Sequence, residues 1–269
     1  MTDSEVAPLR DASTVVLARD GSDGVEVFLQ RRVKQMAFAG GMTVFPGGGV
    51  DPRDREAHVR WAGPDVSFWA DAFAADEATA RALVCAAVRE TFEECGVLLA
   101  GTADATHADP VSLFGERARL EAKELSFAEF LDQQDLVLRA DLLRPLAHWI
   151  TPKNEKRRYD TRFFLAAMPD GQEADGETSE AAETMWMPAG AAIAAWDRGE
   201  HFLLPPTWTQ LRYIADFATV ADLLDAPREI EPIEPSISDG SGIAGLRFTD
   251  SDSYLAALAD GRVEKDFSL

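Results

Sequence analysis

The stretch Leu83–Val97, LVCAAVRETFEECGV, constrains the chain more than any other, together with the glycine-rich turn FPGGGVD at Phe45–Asp51. The apolar positions Ala80, Leu83, Val84, Ala87, Val88, Phe92 and Cys95 recur at helical spacing, so the sequence predicts one helix over Asp76–Cys95 with a core-facing stripe. Asp76 is placed to cap its start. Gly96 is placed to end it in the left-handed conformation that a side chain penalises. Glu90, Glu93 and Glu94 fall at i, i+3 and i+4, so their carboxylates share the face opposite the stripe. Like charges at this spacing cost only about 0.2–0.5 kcal/mol per pair, which an ordinary solvated acidic face tolerates. Three hard oxygen ligands on one arc also suit Mg²⁺ or Mn²⁺.

The context of the trio favours the second reading. Arg89 precedes the first carboxylate, Gly96 closes the helix, and a strand-like Thr43-Val44-Phe45 leads into Pro46-Gly47-Gly48-Gly49-Val50-Asp51. The combination resembles the Nudix hydrolase box, G-x5-E-x7-R-E-U-x-E-E-x-G-U, with U a bulky apolar residue. The second half reads Arg89-Glu90-Thr91-Phe92-Glu93-Glu94-Cys95-Gly96-Val97, and only Thr91 departs from it. In the first half Asp54 stands where the box has Glu, and residues 55–88 fill a gap that normally spans seven. An interrupted box of this kind is similar to the peroxisomal-type coenzyme A diphosphatase branch. So are Trp149-Ile150-Thr151-Pro152, the run Arg157–Leu165 (RRYDTRFFL) and Leu204-Pro205-Pro206.

The resemblance implies an α/β fold: an α/β/α sandwich around a mixed sheet, with helical insertions and a C-terminal extension. It places a hydrolase domain over residues 1–225, an insertion at 55–76, a helical addition at 111–140, and a linker and tail at 226–269. It further implies a metal-dependent hydrolase of a nucleoside diphosphate linked to X, with coenzyme A or its acyl esters first. ADP-ribose, NADH and nucleotide sugars stay open, as does a Nudix-fold nucleotide-binding regulator without turnover. Glu90, Glu93 and Glu94 are then the metal ligands for Mg²⁺ or Mn²⁺, and Glu93, Glu90 or Glu183 orients the attacking water. Arg89 pairs with a box carboxylate, and Gly47, Gly48 and Gly49 lie beside the substrate. Glu183 also reads as a solvated loop carboxylate.

Net charge is −21, from 26 basic and 47 acidic residues, which disfavours a nucleic-acid partner or an anionic membrane surface. Five basic residues nevertheless cluster within ten positions: Lys153, Lys156, Arg157, Arg158 and Arg162. They read either as a solvated face or as phosphate recognition, with Arg157, Arg158 and Arg162 as the substrate-binding set. Cys85 and Cys95 lie about 15 Å apart along the expected helix, too far to pair, and fit reduced thiols in the cytoplasm. The N-terminus lacks the pattern of a signal peptide, and the ending Phe267-Ser268-Leu269 does not match a peroxisomal address.

Glycine spacing completes neither a Rossmann nor a P-loop motif. His58, His107, His148 and His201 read as surface or core residues. Trp61, Phe68, Trp69 and Phe73 belong either to packing of the insertion or to a stacking lid. Ser126 and Glu129 form a capping-box pattern. The helical addition reads as a substrate-side cap or the surface of a homodimer. Single helices are expected at 189–198 and 208–224, and a Pro- and acid-rich linker at 226–241.

Overall fold

Thirteen strands and nine α-helices arise from these patterns in a computed structural model, which describes residues 6–33, 39, 41–55, 58–102, 109–178, 181–237 and 245–259. The expectations for His107 and for the last ten residues lie outside them. Strand β1 (Leu9–Gly21) turns through Ser22 and Asp23 into β2 (Gly24–Arg32). The short strands β3 (Thr43–Val44) and β4 (Gly47–Gly49) follow. The interruption of the box holds α1 (Pro52–Arg55), β5 (Trp61–Ala62) and α2 (Val66–Phe73) before the long helix α3 (Glu77–Cys95). Next come β6 (Ala100–Gly101), α4 (Phe114–Glu121), α5 (Phe127–Gln133), β7 (Val137–Arg139), β8 (Leu143–Ile150) and β9 (Arg158–Ala167). Then β10 (Ala181–Pro188) leads to α6 (Ala189–Asp197), α7 (Pro205–Ile214) and α8 (Val220–Asp225). The chain closes with β11 (Pro232–Ile233), β12 (Ser236–Ile237), β13 (Leu246–Arg247) and α9 (Ser251–Ala259).

The main sheet runs β10-β2-β1-β9-β8-β11, with β3 on β2 and β4 on β1. It is mixed: β1 lies parallel to β9 and β11 to β8, and the other pairs are antiparallel. Side chains alternate across it. Val15, Leu17, Phe164 and Ala166 meet α2, α3 and α5 on one face, while Val16, Ala18, Phe163 and Leu165 meet α6, α7, α8 and α9 on the other. This is the helix–sheet–helix layering that the resemblance implies.

Helix α3 is set by its ends. The Asp76 carboxylate accepts from the Thr79 N–H, and Gly96 at φ 70° donates back to the Phe92 carbonyl. Its apolar stripe is joined by further buried positions, Ala82, Ala86 and Thr91 among them, so α3 is enclosed on most sides. Thr91 tolerates that burial because its hydroxyl donates to the Ala87 carbonyl. In the insertion, Trp69 and Phe73 are fully buried against Phe164, so they pack the insertion onto the sheet, while Phe68 stays exposed. The Ser126–Glu129 capping box forms in both directions.

Three expectations on element type need correction. The segment expected as one helix over 208–224 is two, because Thr219 caps a new start and the Val220 N–H is taken by Asp20 of the first hairpin. The end of the helical addition, up to Leu138, enters strand β7, paired with β5 and β6. The linker is not free either, since β11 extends the main sheet and β12 pairs with β13. No helix of the described residues is long and apolar enough to cross a membrane.

Candidate active site

Pairing of β4 with β1 sets the floor of the site. Gly47, Gly48 and Gly49 lie opposite Thr14, Ser13 and Ala12. Gly47 has φ 155°, and a Cβ there would come within 2.4 Å of the Ser13 carbonyl oxygen. A Cβ on Gly48 would come within 2.6 Å of the Glu90 carboxylate, so the acidic turn of α3 rests directly on the glycine strand. The Gly47 N–H donates to Glu94 Oε2 at 2.8 Å, and Gln30 Nε2 donates to the same oxygen at 3.2 Å. The two halves of the motif, 34 residues apart at their inner ends, therefore meet.

Arg89 ties them together. Its Nη2 donates to the Gly49 carbonyl at 2.9 Å and to Asp54 Oδ2 at 3.0 Å, with Nε also turned to the Asp54 carboxylate. Its Nη1 donates to Glu90 Oε1 at 2.8 Å and Glu93 Oε2 at 3.0 Å. Asp54, 2 % exposed, is one methylene shorter than the acid of the box pattern and still reaches Arg89. Burial works against the charge on Arg89, but Glu90 and Asp54 outweigh it and hold its pKa above the usual value. Burial pushes the Glu93 carboxyl up to about 7; Arg89 opposes the shift, and the Glu90 charge adds to it.

One guanidinium faces three carboxylates, Asp54, Glu90 and Glu93, in this poorly hydrated cluster, leaving an excess of negative charge. Among the described residues no three His, Cys, Asp or Glu side chains already enclose a metal position. The fit to a divalent ion lies in donor chemistry. Glu90, Glu93 and Glu94 offer hard oxygens on one cleft wall, and a cation there would offset the burial, and the Glu90 charge, that raise the Glu93 carboxyl.

The cleft has a volume of about 890 Å³. Its lining also includes the apolar side chains of Phe45, Trp149, Phe163, Leu204, Pro205 and Leu246. Of the expected residues, Gly47, Gly48, Gly49, Arg89, Glu90, Glu93, Glu94 and Arg157 line it. Arg158, Arg162 and Glu183 do not. Arg158 and Arg162 lie on the face of β9 turned toward α3, opposite Tyr159, Thr161 and Phe163, which do line the cleft. Buried there, Arg158 bonds the Thr151 carbonyl and Glu234, and Arg162 pairs with Asp160 at 2.7 Å and Asp11 at 3.5 Å. Glu183 stands on β10 across from Arg31, with which it pairs, and its side chain is 49 % exposed. His148 and His201 are occupied with Asp160 and Thr43.

Sequence reasoning passed over Arg117 and Gln30. Buried Arg117 on α4 donates to the Glu93 carbonyl at 3.0 Å and grips Asp175 with Nη1, pinning the last turn of α3. Neither residue belongs to a local pattern; an arginine in an otherwise short amphipathic helix was the only signal.

A family model described as the NUDT19 Nudix domain matches residues 69–214. The matched stretch contains the acidic turn but not the glycine strand, so the union of the two rests on the fold. Acyl-coenzyme A diphosphatase NUDT19 of Homo sapiens is 26 % identical over 240 residues, covering 75 % of this chain and 64 % of that protein. A putative nudix hydrolase 7 of Caenorhabditis elegans is 29 % identical over 197 residues, covering 73 % of this chain and 57 % of the relative. The chain thus spans less than two thirds of the length of these relatives. Among solved structures, a NUDIX hydrolase from Alicyclobacillus acidocaldarius superposes with a TM-score of 0.69 at 29 % identity, over 83 % of this chain and 98 % of that one.

Proposed function

The chain belongs to the Nudix hydrolase family, and from that premise we propose that it cleaves the diphosphate linkage of coenzyme A or an acyl-coenzyme A. The observation that carries the reading is the contact between the Gly47–Gly49 strand and the acidic turn Glu90–Glu94 through Arg89. Relatives named acyl-coenzyme A diphosphatases and the apolar residues that line the cleft beside the acidic turn's carboxylates support the choice of substrate. Adjacent phosphoryl groups carry charge that repels a nucleophile. Glu90, Glu93 and Glu94 would hold Mg²⁺ or Mn²⁺, which supplies the positive charge that the diphosphate oxygens need.

The protein's own residues do the rest. Arg89 fixes the Glu90 and Glu93 rotamers, and the Gly47 N–H fixes Glu94, so the three carboxylates are oriented before substrate arrives. Glu93 is engaged by Arg89 through Oε2. Its Oε1 takes the proton of the attacking water as the new O–P bond forms, while the bridging P–O bond breaks and its electrons leave on the second phosphate.

Chromatography of products from a panel of diphosphates with Mg²⁺ or Mn²⁺ tests the reading. Coenzyme A should give 3′,5′-ADP and phosphopantetheine, ahead of ADP-ribose, NADH and nucleotide sugars. Glu93→Gln should lower kcat by roughly 10²–10⁴-fold. Absence of turnover for every diphosphate would sink the substrate reading, and wild-type rates in Glu93→Gln would sink the role of that carboxylate.

A further inference from the structure

The basic cluster of the sequence divides in the fold, and its cleft-facing remainder has a partner that no motif announces. Arg158 and Arg162 turn inward, whereas Arg157 lines the cleft. Strand β1 runs parallel to β9 with Arg10 opposite Tyr159, and both line the same cleft. Register partners point to the same side of a sheet, so Arg10 and Tyr159 share one face, and Arg157, just before β9 begins, lines the same cleft. Arg10 and Arg157 are exposed, and neither guanidinium has an ion-pair or hydrogen-bond partner among the described residues. Their neighbour Asp11 is already held by Arg55 and Arg162, and Glu155 is a further carboxylate lining the cleft. Two uncommitted guanidiniums in one cleft are conspicuous in a chain of net charge −21.

Strand β1 also measures the distance to the reaction centre. Gly48, against which Glu90 rests, pairs with Ser13, and Arg10 lies three residues upstream, roughly 10 Å away at the rise of a strand. That backbone span is longer than one pentose ring with a phosphate on either side, and the reach of the long arginine side chain makes up the difference. We propose that Arg10 and Arg157 form a second anion subsite, which takes a phosphate monoester on the ribose of the substrate and so selects 3′-phosphorylated adenosine diphosphates. Arginine suits the task because its planar fork donates two hydrogen bonds to one phosphate. The inference rests on the proposed diphosphate substrate but adds the group that separates coenzyme A from ADP-ribose and NADH.

The test compares coenzyme A with 3′-dephospho-coenzyme A on the full chain. Each charge-assisted contact to phosphate is worth roughly tenfold in affinity. Wild type should prefer coenzyme A by at least that factor in kcat/KM, and the ratio should fall at least tenfold, through KM, in the Arg10→Ala/Arg157→Ala double variant. Arg10→Lys/Arg157→Lys should keep part of the preference. Calorimetric binding of 3′,5′-ADP against 5′-AMP reads the subsite without turnover. A wild type that cleaves both coenzymes equally, or a double variant with an unchanged ratio, overturns the subsite. Tighter binding of 3′,5′-ADP that depends on both arginines, in a protein that cleaves neither coenzyme, upholds the subsite and overturns the substrate reading instead. Absence of turnover of either coenzyme together with equal binding of 3′,5′-ADP and 5′-AMP overturns both.

Discussion

Gly47 and Gly48 are neighbours on one three-residue strand, yet a methyl group added to each meets different things. At Gly47 it strikes the Ser13 carbonyl at 2.4 Å from a φ of 155°, and backbone cannot step aside. Gly47→Ala should therefore cost roughly 2–3 kcal/mol, read as a lowered Tm. At Gly48 it strikes only the end of the Glu90 side chain, which swings away. Gly48→Ala should leave stability within about 1 kcal/mol of wild type, yet lower kcat at least tenfold, because Glu90 leaves Arg89. Equal Tm losses at both positions would contradict this account. Glu93 gives a pH prediction. Its folded pKa of about 7 exceeds the ordinary 4.5, so the metal-free folded state keeps a proton that the unfolded chain has released. Its share of stability is full below pH 4.5, is lost as pH rises through about 7, and amounts to about 1–3 kcal/mol. Glu93→Gln should raise the metal-free Tm at pH 8 and gain nothing at pH 5, and Mg²⁺ should raise the wild-type Tm at pH 8. A variant that shifts Tm equally at both pH values would refute the buried carboxyl.

Helix α3 was legible in the sequence almost to the residue because its determinants are local: Asp76 before it, Gly96 after it and a periodic apolar stripe between. The capping box of α5 was legible for the same reason. Beyond the reach of local rules was the face a strand residue occupies. Arg157, Arg158 and Arg162 looked equivalent along the chain, and only the packing of β9 between two helical layers sends the last two inward. Contacts between elements distant in sequence were likewise hidden, and Arg117 is the clearest. It joins α4 to the last turn of α3 and to Asp175, 58 residues away. Arg117→Met keeps the apolar stem but strands the Glu93 carbonyl, at a cost of about 2 kcal/mol and thus roughly 5 °C in Tm. Arg117→Lys should recover less than half of that, since an ammonium cannot bond the carbonyl and grip the carboxylate together. Full recovery by lysine would mean that only the positive charge matters there.

At the scale of the molecule, residues far apart in sequence join in one wall. The segment expected as a linker and tail supplies Leu246 to the cleft, and its helix α9 drives Tyr254 into the core beneath Leu203. The ring stacks on Trp196 at 5.0 Å, meets Trp208 edge-on at 5.4 Å, and donates its hydroxyl to the Leu203 carbonyl at 2.9 Å. Leu203 is followed by Leu204-Pro205-Pro206-Thr207, which lines the cleft, so the tail braces that part of the cleft. Composition marked 226–241 as Pro- and acid-rich but carried no sign of this, because the bracing depends on one aromatic ring finding a cage of others. Tyr254→Phe removes a single hydrogen bond and should cost about 1 kcal/mol with KM for coenzyme A unchanged. Tyr254→Ala leaves a cavity among three aromatic rings and should cost about 3–5 kcal/mol. Its folded fraction should also show a raised KM for long acyl esters, measured below its Tm, as the Leu204–Thr207 turn loses support. A wild-type KM in that variant would show that the wall stands without the tail, and the C-terminal segment would then contribute stability alone.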